Sequence, residues 1–148
     1  MVWLNYVPGV RESRRLLSGH ESVLPQNYVI QAPGRDMIIY GIYNMRIGVD
    51  SIALDRKGEW LYYGSVTGDT LYRIKAADLS DASLTYDDLA GRVEAFADKT
   101  LSDGITTDVE GNVYLSDMEN SAIHIITPER ELKTLIKDER LRWPDGFS

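Results

Sequence analysis

The sequence predicts an all-β fold made of β-propeller blades, four-stranded antiparallel sheets repeated along the chain. Three observations predict it. Gly48-Val49-Asp50-Ser51-Ile52-Ala53-Leu54-Asp55-Arg56-Lys57-Gly58 is answered by Ser102-Asp103-Gly104-Ile105-Thr106-Thr107-Asp108-Val109-Glu110-Gly111, and a third copy opens at Trp143-Pro144-Asp145-Gly146-Phe147. The leading aspartates at 50, 103 and 145 stand 53 and 42 residues apart, a period that suits propeller blades better than most solenoid repeats. Each copy then continues as short β-branched and aromatic runs bounded by turn residues, the pattern of strands in a meander.

Along the chain, residues 1–47 hold no clear copy of the repeat. They carry three strand-like runs, residues 2–7, 28–31 and 37–43, separated by the breakers Pro8-Gly9 and Pro33-Gly34. Arg11, Arg14 and Arg15 lie between the first two runs, where a solvated loop face is the expectation and an anion site the alternative. The first repeat opens with the strand at 48–54. Asp55-Arg56-Lys57-Gly58 places Asp first and Gly fourth in a type I turn, and strands follow at 60–65 and, past Thr67-Gly68-Asp69, at 70–74.

The longer spacing of the first repeat comes from an insertion at 76–90, which reads as a short helix. Thr85 caps it, Asp88 completes a capping box and favours the positive end of the helix dipole, and Gly91 ends it. The fourth strand is expected at 92–96. The alternative carries the helix onward through Leu89, Val93 and Phe96 at helical spacing. The second repeat gives a turn at Asp108-Val109-Glu110-Gly111 and strands at 112–116, 121–126 and 132–136. The organisation is therefore a partial blade over 1–47, blades over 48–101 and 102–142, and the first strand of a further blade over 143–148.

Composition narrows the function classes. Sixteen Lys+Arg against 23 Asp+Glu give a formal charge of -7 on 148 residues, without a basic run, so a nucleic-acid partner is not expected. The absence of cysteine excludes disulfides, thiol catalysis and cysteine-ligated zinc. No window approaches the roughly 18 apolar residues of a membrane span, and the N-terminus lacks the charged-then-apolar layout of a signal peptide. A cytoplasmic location is expected as written, and an extracytoplasmic one if the chain is a piece of a longer secreted protein. No Gly-x-Ser-x-Gly, Walker loop, His-Glu-x-x-His or dinucleotide glycine fingerprint is present, so no motif supports those enzyme classes.

The segments at 48–54, 60–64, 71–74, 102–105, 111–117 and 141–146 resemble the yellow / major royal jelly protein family in its bacterial branch. The resemblance runs from about Leu17 onward. It implies a six-bladed propeller, similar at a distance to the gluconolactonase / regucalcin propellers, of which about three blades are present here. Family chains are more than twice this length. The resemblance also permits a pocket for aromatic ligands lined by some of the nine tyrosines and three tryptophans.

In a propeller the innermost strand of each blade starts near the central channel, so Asp50, Asp103 and Asp145 are expected at one mouth. Three carboxylates suit a hard cation, Ca²⁺ or Mg²⁺. Gluconolactonase-like relatives hold divalent-metal ligands at this point of the repeat, and an Asp followed by Gly recurs here as Asp103-Gly104 and Asp145-Gly146. Asp50-Ser51 departs from that pattern. The alternative for each aspartate is structural, accepting backbone hydrogen bonds at a strand entrance. Asp117 and Asn120 read as an ordinary turn, and His124, inside a β-branched run, as a satisfied or exposed strand position rather than a general base. His20 is isolated in sequence.

Two functions follow as expectations. One is a small-molecule-binding propeller with cation-assisted lactonase-like or isomerase activity and no assigned catalytic residue; the other is a non-catalytic structural or interaction module. Because blades expose edges until a ring closes, self-association is expected, most simply as a homodimer. Two copies bring about 300 residues, roughly what six blades of this period need.

Overall fold

The structure is a computed structural model that describes residues 14–147. The strand expected at 2–7 and the cluster member Arg11 lie outside the described residues. A 3-10 turn at Glu21–Val23 is followed by two small hairpins, β1 (Gln31–Ala32) with β2 (Arg35–Asp36) and β3 (Ile38–Ile39) with β4 (Tyr43–Asn44). Two four-stranded sheets follow. The first blade runs β5 (Val49–Leu54), β6 (Trp60–Ser65), β7 (Thr70–Lys75) and β8 (Glu94–Asp98), with α1 (Ala76–Ser80) and α2 (Tyr86–Ala90) inserted before β8. The second runs β9 (Ile105–Thr107), β10 (Val113–Asp117), β11 (Ala122–Ile126) and β12 (Leu132–Lys137). In both, every neighbouring pair is antiparallel and the spatial order is the sequence order, the meander of a propeller blade.

The Asp-x-x-Gly turns form as the repeat predicts. Gly58 N–H donates to the Asp55 carbonyl at 3.0 Å, and Gly58 and Gly111 sit at φ +73° and +89°, a backbone region that glycine enters without the clash a Cβ brings. The Asp side chain closes each loop from inside, accepting from Glu59 N–H in one and from Asn112 N–H in the other, at 2.7 and 2.8 Å. The helix insertion also forms. Thr85 Oγ1 accepts from Asp88 N–H while the Asp88 carboxylate accepts from Thr85 N–H, and Gly91 follows as C-cap. A second short helix, α1, occupies the first part of the insertion. Residues 94–98 take the strand rather than the helical continuation, because Phe96 then packs between the sheets instead of onto a helix face.

Three expectations are corrected by the structure. Residues 37–43 are not one strand: the chain reverses at Tyr40-Gly41, both at positive φ, and Ile42 N–H donates to the Ile39 carbonyl. Of residues 28–31 only Gln31 enters a ladder, because Pro33-Gly34 turns the chain at once. Residues 143–147 form no strand; they lie against the start of β9.

Three apolar clusters hold these layers. Alternation along β6 sends Tyr62 to one side and Leu61 and Tyr63 to the other. Tyr62, Leu71 and Phe96 meet Val113, Leu115 and Ile126 between the two blades, with Tyr62 edge-on to Phe96 at 5.2 Å. Tyr63 and Ile74 meet Leu16, Leu17, Val23 and Leu89, so the helices cover the outer face of the first blade. Ile30, Val66, Leu101 and Met118 seal the end where the inner strands begin. The Arg14 guanidinium donates to the carbonyls of Asp81 and Leu84 between the two helices.

Candidate functional site

The blades meet through their innermost strands, β5 and β9, and this contact builds the mouth. Ser51 is buried and donates its Oγ hydrogen toward the carbonyls of Ser102, at 3.2 Å, and Asp103. Further along, Thr107 Oγ1 donates to the Leu54 carbonyl at 2.9 Å. Within the second blade Ser116 Oγ accepts from the backbone N–H groups of Asp103 and Gly104, at 3.2 and 3.0 Å, which fixes the entrance to β9. The third repeat start comes to the same place. Were Gly104 to carry a Cβ, that atom would stand 2.4 Å from the Asp145 carbonyl oxygen, so residues 143–147 rest on bare backbone there.

The three repeat starts are thus adjacent, but their carboxylates are used differently. Asp103 Oδ2 accepts from the indole Nε1–H of Trp143 at 2.6 Å, a charge-assisted bond that orients the carboxylate. Asp50 is exposed and sits at a register shift in the β5–β6 ladder, where Val49 pairs with Ser65 and Ser51 with Gly64, so Asp50 is the bulged residue. Asp145 is exposed. Among the described residues no three His, Asp or Glu side chains are gathered closely enough to hold a metal ion. A divalent cation at this mouth would need ligands beyond the set these residues form.

Sequence reasoning missed the serines and Trp143. The signal for Ser116 is a departure from the repeat: the first copy has Gly64 at the same ladder position, opposite Ser51, so only the second copy carries a hydroxyl there to hold the strand entrance. Nothing local marks Trp143, whose partner is 40 residues away. A recess of about 690 Å³ lies between the β10–β11 turn, the end of β12 and Pro33-Gly34, lined by Glu119, Asn120, Lys137, Asp138 and Arg142 and by none of the three aspartates. Its walls carry both signs of charge.

The remaining candidates lie away from the mouth, in hydrogen-bonded positions. Asp117 is buried and caps the β10–β11 turn, accepting from the backbone N–H groups of Glu119 and Asn120 at 3.0 and 2.9 Å and from the Asn120 amide. His124 is buried and donates to Asp117 Oδ2 at 2.9 Å, the satisfied strand position expected of it. His20 caps the 3-10 turn, its Nδ1 accepting from Ser22 N–H.

No protein-family profile and no curated protein matches the chain. Among solved structures, one similar chain is a calcium-binding protein, regucalcin, from Agrobacterium tumefaciens, 18% identical with a TM-score of 0.43. The alignment covers 68% of this chain and 32% of that one, so this chain spans about a third of the length of the structure it matches. No helix among the described residues is long and apolar enough to cross a membrane.

Proposed function

We propose that the chain is part of a small-molecule-binding β-propeller of the yellow / major royal jelly type, with its ligand at the mouth where Asp50, Asp103 and Asp145 begin their repeats. The observation that carries this reading is the convergence of Asp103, held by Trp143, with the Asp145 backbone against Gly104. The oriented carboxylate and nearby carbonyls are hydrogen-bond acceptors, suited to a hydroxyl-bearing polar ligand. Ca²⁺ or Mg²⁺ bound through oxygen ligands, and lactonase-like or isomerase chemistry, belong to this proposal. A thermal-shift titration with Ca²⁺, Mg²⁺, Mn²⁺ and simple lactones tests it. A ligand at about 100 times its Kd adds close to 3 kcal/mol of stability, which appears as a rise of several degrees. Asp103→Ala should abolish the rise itself, whatever it does to the starting midpoint. No shift with any of these probes sinks the reading.

A non-catalytic interaction module is the second reading, favoured by the β3–β4 hairpin. Tyr40, Ile42 and Tyr43 are 90%, 73% and 66% exposed in consecutive apolar sequence. Two blades side by side do not close a ring, and association with further copies is part of this second proposal. Light scattering that returns a monomer at all concentrations would remove it.

A further inference from the structure

The Asp117 cap explains the β10–β11 turn, but it does not explain why the chain of hydrogen bonds continues outward to a surface hydroxyl. Asp117 Oδ2 meets His124 Nε2 at 2.9 Å, and His124 Nδ1 meets Thr134 Oγ1 at 3.3 Å. Thr134 is exposed on β12, the edge strand of its sheet. The equivalent ladder position in the first blade is filled differently. There Tyr63, Tyr72 and Ala95 stand in cross-strand register, as Leu115, His124 and Thr134 do in the second, and the Tyr63 and Tyr72 rings stack with centroids 5.9 Å apart. The second blade instead places a carboxylate, an imidazole and an aliphatic hydroxyl in line.

The protonation pattern follows from the partners. Burial works against a charged Asp117, but the bonds it accepts from His124, Asn120 and Glu119 outweigh burial and hold the carboxyl below its usual range. An ionised carboxylate only accepts, so His124 carries its proton on Nε2. Nδ1 of the neutral ring is then an acceptor, and Thr134 donates to it. This is the arrangement of a general base beside a hydroxyl nucleophile, with the third group orienting the ring and stabilising the imidazolium that forms.

We propose that Thr134 is a nucleophile that accepts acyl groups from activated esters, with His124 as its general base and Asp117 as the positioning residue. The Thr134 oxygen bonds to the acyl carbon as its proton passes to His124 Nδ1. The bond from that carbon to the leaving group then breaks, His124 returns the proton to the leaving group, and the products are an acyl-threonine ester and an alcohol. Nothing is oxidised or reduced. The assignment is independent of the mouth and of any ligand there.

The test uses the whole chain and p-nitrophenyl acetate. A nitrophenolate burst of about one equivalent is expected, with the acetyl group placed on Thr134 by peptide mass spectrometry. Thr134→Val keeps the size and β-branching of the side chain, so its unfolding midpoint should match the parent while the adduct disappears, and Thr134→Ser should restore it. Asp117→Asn should move the ring proton to Nδ1, visible in the ¹⁵N shifts of His124, and slow acetylation by at least about tenfold. If that variant does not fold, the ¹⁵N shifts of the parent protein decide the tautomer alone. Acetylation confined to amines such as Lys133 and Lys137, an adduct undiminished in Thr134→Val, or a parent ring protonated on Nδ1 would each overturn the proposal.

Discussion

Lys99 shows how one residue anchors the linker between the blades to the first blade and makes that junction sensitive to pH. It lies between β8 and β9, and its buried amine donates to the carbonyls of Gly68 and Thr100 at 2.6 and 3.0 Å. Gly64 leaves the space it fills, since a Cβ there would stand 2.6 Å from Lys99 Cε. Burial pushes the amine down to about 7, against a smaller opposing pull from Asp69. The unfolded chain binds this proton up to about pH 10.5, so the folded state holds fewer protons between those values. Stability from this group is therefore fully present above about pH 10.5 and is lost as pH falls through about 7. Denaturant unfolding of the native protein should show stability rising by a few kcal/mol from pH 7 toward 10, and Lys99→Met should flatten the rise. Gly104 gives a second test at this scale. Gly104→Ala places a methyl group against the Asp145 carbonyl, at a cost of about 1–3 kcal/mol. Faster amide exchange at residues 145–147 and a more solvent-exposed Trp143 fluorescence should accompany it.

At the scale of elements, the capping box and the Asp-x-x-Gly turns set where segments start and stop. Thr85→Ala removes the acceptor for Asp88 N–H, and a loss of about 1 kcal/mol is expected in chemical denaturation. These devices were legible because they are local: Thr85, Asp88 and Gly91 lie within one turn and a half, and both halves of the box form. The run at 37–43 looks like one strand in the sequence because Ile38, Ile39, Ile42 and Tyr43 have strand propensity throughout. The reversal at Tyr40-Gly41 needs a tyrosine at φ +53°, which propensity argues against. The choice of strand over helix at 94–98 was likewise settled by Phe96 finding Tyr62 across the sheet.

For the whole molecule, the seam between blades is the part most sensitive to truncation. Leu115→Ala, at a fully buried position facing Tyr62 and Phe96, should cost about 2–5 kcal/mol and broaden unfolding as the blades uncouple. By itself the sequence determined the repeat, the strand count of each blade, the turn chemistry and the candidate aspartates, because each is written within a few residues or in a period. The tertiary structure decided which groups meet. Trp143 reaches Asp103, Ser51 reaches the carbonyls before β9, and Lys99 reaches Gly68, across separations of 31 to 52 residues. It also decided that Asp103, Asp50 and Asp145 come to one mouth without forming a three-carboxylate group. A bulge at Asp50 and a tryptophan on Asp103 redirect side chains that the repeat alone treats as equivalent, and such contacts exist only once the sheets have packed.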